Sequence, residues 1–319
     1  ALVEGSSKLK VDQGSIEITA KSENMTDEDE SPAFKITAYQ GSGSLVTLGG
    51  SYADLEINNK IKAGVNGGSS LEVQKSSNKT DPSDIVITAV DKLALENKAY
   101  GFTGAGAAVG GVLAKSVKNG STEVVVGDDS ADNRTELNAD QGLIKLKSSR
   151  KGSVNSMSRY GAAGGITVDG SGAYAEDKGS VESLIDSNTI INVEQENDRT
   201  ADSDLSLTAE ALTSVKAEAY GFNGSSINLS LNKSTASAAT KINSEAAEGS
   251  IINADNLTIS AAAGLDNDKL TADAYSESAG YGHLLGYDAA KSTAKSSINL
   301  SALLNSQLHL GGDLNLEAD

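Results

Sequence analysis

Two histidines, His283 and His309, are the only imidazoles in a chain of 319 residues that contains no cysteine. Without thiolates, a zinc site would need both histidines and a carboxylate brought together by the fold. His309 lies between Leu308 and Leu310, a pattern that places it on the outward face of a strand. We therefore predict no metal site, no cofactor site and no histidine acting as a general base.

Two acidic clusters, Asp27–Glu30 and Asp128–Asp132, could in principle offer oxygen ligands to calcium. Calcium needs several oxygens in a defined loop, and neither cluster has the EF-hand pattern or the Gly-Gly-x-Gly-x-Asp repeat. We therefore predict that both clusters are solvated turns.

Polysaccharide cleavage is a third chemistry to consider, because some β-helical enzymes carry paired carboxylates or an arginine on one face. The chain has no tryptophan and only 4% aromatic residues, so no aromatic cluster for stacking on sugars is predicted. It has four arginines, Arg134, Arg150, Arg159 and Arg199. We predict that the chain is not an enzyme, and a polysaccharide-processing enzyme on a β-helical scaffold remains the alternative.

Asparagines in Asn-x-Ser sequons, such as Asn223, Asn228 and Asn299, are numerous in a chain this rich in Asn and Ser. Chance alone produces such sequons at this composition. We expect the asparagines to form hydrogen-bonded stacks between neighbouring strands rather than glycosylation sites.

The charge balance restricts the possible partners. The chain has 44 acidic and 26 basic residues, for a net charge of -18, whereas nucleic-acid binding needs concentrated positive charge. No apolar run reaches 18 residues, so no membrane insertion is expected within this segment. Residues 1–5 do not resemble a signal peptide, so an export signal or anchor is expected outside the segment.

A repeat of about 60 residues is marked by tyrosines, four of which precede a glycine. They stand 61, 60, 60 and 61 residues apart, at Tyr39, Tyr100, Tyr160, Tyr220 and Tyr281. Self-similarity at a fixed period is typical of stacked repeat architectures. We predict one elongated segment of five units, at residues 1–65, 66–127, 128–188, 189–248 and 249–319.

Six copies of a short motif, apolar-x-apolar-x-small, recur along the chain, and we call them the strand markers. They are Ile16–Ala20, Ile85–Ala89, Ile144–Ser148, Leu205–Ala209, Leu257–Ala261 and Leu314–Ala318. Alternation of period two predicts a half-buried strand. Polar residues precede several copies, as in Asn253–Asp255, and suit tight corners.

Segments rich in glycine and alanine, such as Gly101–Lys115 and Gly161–Ala173, follow the tyrosines. They are either flexible loops or places where two sheets approach closely, and their phasing with the repeat favours close approach. Ser234–Ala247 and Ala289–Ser297 have some helical propensity, but their apolar residues often alternate, so we predict strands there.

These patterns predict an all-β fold, a parallel β-solenoid whose turns lie about 4.8 Å apart. Two arrangements remain open. Three turns of about 20 residues per unit would give a length of about 70 Å, and one wide turn per unit would stack the tyrosines in about 25 Å.

The stretch Ile252–Ala261 resembles the repeats of filamentous-haemagglutinin-type adhesins, and Gly43–Ser51 looks closest to the leukotoxin-type filamentous adhesins of that group. The resemblance covers essentially the whole chain. It implies a right-handed parallel β-helical shaft of a large bacterial protein, exported across the outer membrane to the cell surface or medium. The family's N-terminal secretion domain is not matched, and the chain begins and ends in mid-repeat, so we expect an interior segment of a longer array.

The resemblance also implies cell adhesion and, in some members, virulence through toxicity to host cells. The expected partners are a receptor on a host cell or other surface, and other copies of the same filament are a second candidate. A passive spacer, with recognition elsewhere in the parent protein, is a further interpretation.

Overall fold

The computed structural model describes residues 1–23, 32, 34–74, 83–128, 134–140, 142–194, 205–265, 268–281 and 284–319. Every regular element in that part of the chain is a β-strand, so the all-β prediction is confirmed. No helix capable of crossing a membrane occurs among these residues.

The strands of the described residues are numbered in chain order. The first ten are β1 Leu2–Val3, β2 Lys8–Val11, β3 Ile16–Glu23, β4 Phe34–Val65, β5 Ser70–Val73, β6 Ile85–Val126, β7 Thr135–Asp140, β8 Ile144–Asp177, β9 Ser180–Ile185 and β10 Thr189–Glu194. The others are β11 Leu205–Ala238, β12 Lys241–Ala246, β13 Ile251–Ala254, β14 Leu257–Leu265, β15 Asp268–Lys269, β16 Thr271–Gly280, β17 Leu285–Ser296, β18 Asn299–Leu304, β19 Gln307–Leu310 and β20 Leu314–Ala318.

Parallel pairing joins each strand to one about 60 residues further along the chain. Ile85 pairs with Ile144, for example, and Ile144 pairs with Leu205. The short antiparallel contact between β14 and β15 is an exception. Strands β2, β5, β7, β10, β13 and β19 form a six-stranded sheet, and the others join a larger sheet.

The six strand markers lie in strands and pair with one another in chain order, from Ile16 to Leu314. Their apolar positions point inward; Ile144 and Leu146, for example, are fully buried. The strands predicted in the alanine-rich segments are present, within β11, β12 and β17. The glycine-rich segments Gly101–Lys115 and Gly161–Ala173 lie within the strands β6 and β8 and are not loops.

The long strands bend back on themselves. Within β6 the side-chain amide of Asn97 donates a hydrogen bond to the carbonyl oxygen of Lys115 at 2.7 Å, so two parts of one strand face each other. We call residues 85–104 and their ladder partners the outgoing arm, and residues 107–126 and their partners the return arm. Gly106 lies at the bend between them, which we call the tip. We call the five successive copies of this pair of arms levels: β4, β6, β8, β11, and β16 with β17.

The interior is widest where the six-stranded sheet faces the beginnings and ends of the long strands. Leu71, Ile85 and Val124 belong to one apolar cluster there, and all three are fully buried. Towards the tip only the outgoing and return arms of the larger sheet face each other, and the buried residues are mostly alanines such as Ala173 and Ala217. A core with few aromatic residues is possible because small side chains let the two arms approach closely.

Candidate binding face

A column of large side chains runs across the outer side of the outgoing arm. Tyr39, Tyr100, Arg159 and Tyr220 occupy one ladder position in the first four levels. The rings of Tyr39 and Tyr100 are stacked, with centroids 5.2 Å apart and planes inclined by 12°. The guanidinium carbon of Arg159 lies 4.9 Å from the ring centroid of Tyr220, a distance that allows a cation–π contact.

A second column lies two residues closer to the tip. Phe102 and Phe222 both pair with Gly161, which lies between them in the third level. Because Gly161 has no side chain, the two phenyl rings, each about half exposed, border a gap. Together with the first column they line a shallow groove, which we call the aromatic face.

The remaining tyrosines of the repeat do not join the column. Tyr160 pairs with Gly101 and Gly221, one residue out of step with Tyr100, and therefore points inward, where it is 3% exposed. Its hydroxyl group hydrogen-bonds to Thr103. Tyr281 follows β16 and approaches Phe222, with centroids 6.3 Å apart. Equal spacing in sequence thus does not give equal orientation, because a one-residue slip turns a side chain to the other face.

Glutamates accept hydrogen bonds from Tyr220 of the aromatic face and from Tyr275, a neighbour in the fifth level whose ring centroid lies 5.6 Å from that of Tyr220. The hydroxyl of Tyr220 donates a hydrogen bond to Glu218 at 3.3 Å, and that of Tyr275 donates one to Glu277 at 3.0 Å. Burial and the neighbouring charge of Glu218 raise the pKa of Tyr220. These phenols therefore remain neutral hydrogen-bonding groups at physiological pH, and Arg159 supplies the positive charge of the column.

No protein family, curated protein or solved structure matches this chain. The aromatic face and the resemblance of the repeats to filamentous adhesins are therefore the two grounds for a functional proposal.

The residues considered for chemistry in the sequence do not converge in the described part of the chain. His309 lies on the exposed side of β19, as expected from its pattern, with its ring 3.3 Å from Gln307. His283, Arg199, the cluster Asp27–Glu30 and all of the second acidic cluster except Asp128 lie outside the described residues. Among the described residues no group of three metal-binding side chains forms.

Asparagine stacks occur, as expected from the composition. Asn192 donates to Asn138 and Asn253 donates to Asn192, both at 2.6 Å, along one ladder of the six-stranded sheet. Of the sequon residues, Asn223 is fully buried and Asn228 is 5% exposed, so neither side chain is accessible in the folded chain. Asn299, at the start of β18, is exposed and forms no such stack with another asparagine.

Arg150 occupies a quite different site from the one considered in the sequence. It is fully buried with Asp91, Lys118 and Asp177, and we call these four side chains the buried quartet. The carboxylate of Asp91 lies 3.2 Å from both Lys118 and Arg150, and Arg150 lies 2.7 Å from Asp177. Two positive and two negative charges thus compensate one another between the arms of levels two and three.

Acid is expected to weaken the fold through Asp177. Burial alone would raise the pKa of Asp177, but the charges of Arg150 and Lys118 hold it below its ordinary value. The ionised form therefore stabilises the fold fully above the unfolded pKa of about 3.9, and this stabilisation is lost as pH falls through the folded pKa. Urea denaturation at several pH values should show that wild type and Asp177→Asn converge in unfolding free energy as the pH falls. A constant difference would contradict this assignment.

Proposed function

We propose that the chain is a right-handed β-solenoid segment of a filamentous-haemagglutinin-type bacterial adhesin, with one wide turn per unit of about 60 residues. The parallel register over successive levels supports this repeat, and the handedness follows from the resemblance alone. The segment lies at the cell surface or in the secreted protein and serves in attachment to a host cell or another surface. It is a structural and binding element and has no catalytic role.

The width of each turn favours surface display over spacing. A turn of about 60 residues that rises about 4.8 Å adds very little length per residue. A passive spacer needs as much length per residue as possible. Wide turns instead give a short segment with broad, flat faces. Five levels give a slab only about 25 Å tall, each of whose faces is many residues wide.

The aromatic face is the observation that carries the proposal, and we assign it as the attachment surface. Tyrosine, phenylalanine and arginine are enriched at protein–protein interfaces, and tyrosine and arginine dominate their hot spots. The column Tyr39, Tyr100, Arg159 and Tyr220 presents these residue types on a rigid sheet, so little conformational entropy is lost on binding. The receptor is therefore a surface protein.

Binding of the purified chain to cultured host cells tests this function. Tyr100→Ala and Arg159→Ala are each expected to weaken binding at least about tenfold, because each removes a large side chain from the centre of the face. Lys241→Ala, which removes an exposed cation from a different sheet position, is the matched control and should bind like wild type. Protease treatment of the cells should abolish binding.

Other outcomes would exclude the proposal. Binding that survives protease but not glycosidase treatment would identify a glycan receptor instead of a protein. Equal binding by wild type and both face variants would remove the aromatic face from attachment, and a chain that binds no cells would remove the adhesive role.

A further inference from the structure

The third level interrupts the pattern of the aromatic face. In the second and fourth levels a tyrosine points outward and is followed, two positions later, by an outward phenylalanine. These pairs are Tyr100 with Phe102, and Tyr220 with Phe222. In the third level Tyr160 points inward instead, and the outward residues are Arg159 and Gly161. Because glycine has no side chain, the third level is the floor of a trough whose walls are the two tyrosine–phenylalanine pairs.

The trough runs along strand β8. Its walls belong to the strands on either side of β8, so their backbones are about 9.6 Å apart, twice the ladder spacing. A side chain inserted midway would lie about 4.8 Å from each wall, within the range of about 4.5–7 Å over which aromatic rings make contact. Alternate residues of an extended strand are about 6.6 Å apart, as are Arg159 and Gly161. An extended chain lying along β8 would therefore place one side chain at Arg159 and the next but one over Gly161.

Arg159 brings an available positive charge to the floor of the trough. Its side chain is exposed and lies over the ring of Tyr220, and it forms no ion pair with another described residue. Contact with a ring does not consume the N–H groups of a guanidinium, which match the two oxygens of a carboxylate. Glu218, which accepts the hydrogen bond of Tyr220, is paired with Lys216 at 2.8 Å, so its charge is compensated within the fourth level.

From this arrangement we infer that the trough binds an extended segment of the receptor in which an acidic residue and a large apolar residue are two positions apart. The acidic side chain pairs with Arg159, and the apolar side chain enters the gap over Gly161. Either chain direction gives this spacing, whereas adjacent residues of a strand point to opposite sides. The inferred segment rests on the proposed function, because it is the part of the receptor that the aromatic face contacts.

Both contacts have the properties of interface hot spots. Phe102 and Phe222 are each about half exposed, so an apolar side chain between them removes ring surface from water on both walls. An arginine that is already held over a tyrosine ring loses little conformational freedom when it pairs with a carboxylate.

Labelled peptides test the inference without cells. Ser-Glu-Ser-Phe-Ser and its reverse, Ser-Phe-Ser-Glu-Ser, present an acid and a ring on one side of an extended chain. Ser-Ser-Glu-Phe-Ser has the same composition but presents them on opposite sides. In fluorescence anisotropy with the purified chain, at least one of the spaced peptides should have a dissociation constant at least about tenfold below that of the adjacent peptide. Equal affinities would overturn the inference.

Reversal of the charge provides a test that a structural role of Arg159 would not pass. Arg159→Glu should bind Ser-Lys-Ser-Phe-Ser, or its reverse, at least about tenfold more tightly than the corresponding glutamate peptide. A variant that still prefers glutamate would contradict the pairing.

Filling the gap tests the apolar contact. Gly161→Leu should weaken binding of the spaced peptide at least about tenfold. The nearest atom to a Cβ at Gly161 is the ring edge of Phe102, 3.1 Å away, which can turn aside. Gly41→Leu is the matched control, because Gly41 occupies the same column in the first level and has no atom within 4 Å of its Cβ position. It should bind like wild type, and circular dichroism shows whether each variant is folded. Unchanged binding by Gly161→Leu would exclude the gap.

Cell binding distinguishes failure of this inference from failure of the proposed function. If Tyr100→Ala and Arg159→Ala lose cell binding while spaced and adjacent peptides bind alike, the attachment face stands and the inferred receptor segment is wrong. If the peptides follow the expected order but no cells are bound, the binding chemistry of the trough is supported and the adhesive role is wrong.

Discussion

Replacement of Asp91 by asparagine is expected to lower the free energy of unfolding by about 3–5 kcal/mol, the cost of breaking a buried ion pair from one side. The substitution keeps the size of the side chain and removes only its charge. Lys118 and Arg150 then share a single carboxylate, Asp177, and one positive charge stays uncompensated in an interior without water access. Urea denaturation followed by circular dichroism measures the loss.

A second substitution separates charge from packing. In Asp91→Asn with Lys118→Met the remaining pair, Arg150 and Asp177, is neutral overall, so the second change should recover part of the stability that the first removes. The coupling between the two sites should reach about 1 kcal/mol or more, since both lie in one network. Additive effects would mean that Asp91 and Lys118 do not act as a pair.

The buried quartet also fixes the register of two levels. Asp91 and Arg150 are ladder neighbours, and so are Lys118 and Asp177. A shift of β8 against β6 by two residues would preserve inside and outside but would separate both pairs. Because alanine and serine fill most of this narrow region, apolar packing alone distinguishes such registers weakly. A buried charge network penalises them strongly.

The strand markers show how much of the fold the sequence predicts. Their isoleucines and leucines alternate with polar residues where one side of the strand faces a wide apolar core, so burial decides the face. Ile85, Ile144 and Leu205 consequently form one ladder, as a stacked repeat requires. The strand type of the alanine-rich segments was also predictable, because alternation outweighs the helical propensity of alanine there.

Other features could not be predicted, because they depend on which residues become neighbours across levels. The aromatic face needs Tyr39, Tyr100 and Tyr220 in one column, yet the equally spaced Tyr160 is turned inward. In Ile227–Asn232 the alternation is clear, but a pattern of period two does not state which side is buried. Arg150 is likewise paired with residues 59 and 27 positions away, a neighbourhood that composition does not reveal.

The inward turn of Tyr160 leads to the second large effect. Tyr160→Ala is expected to lower the free energy of unfolding by about 3–5 kcal/mol, as for other buried aromatic residues. The outgoing and return arms cannot close over the space that the ring leaves. Tyr160→Phe should cost only about 1 kcal/mol, the contribution of the hydrogen bond to Thr103. Urea denaturation of both variants separates the ring from the hydroxyl group.

Gly101 provides the matched test of this assignment. A methyl group on Gly101 would lie 2.6 Å from the Tyr160 ring and 2.7 Å from Val112, so Gly101→Ala should destabilise the wild type by about 1–3 kcal/mol through overpacking. In the Tyr160→Ala background the ring is absent and only the Val112 contact remains. Gly101→Ala should therefore lower the free energy of unfolding clearly less there than in the wild type. The difference between the two backgrounds measures the contact between levels two and three directly. Equal costs in both backgrounds would mean that Tyr160 does not lie against Gly101, and its ring would then belong on the outer face with Tyr100 and Tyr220.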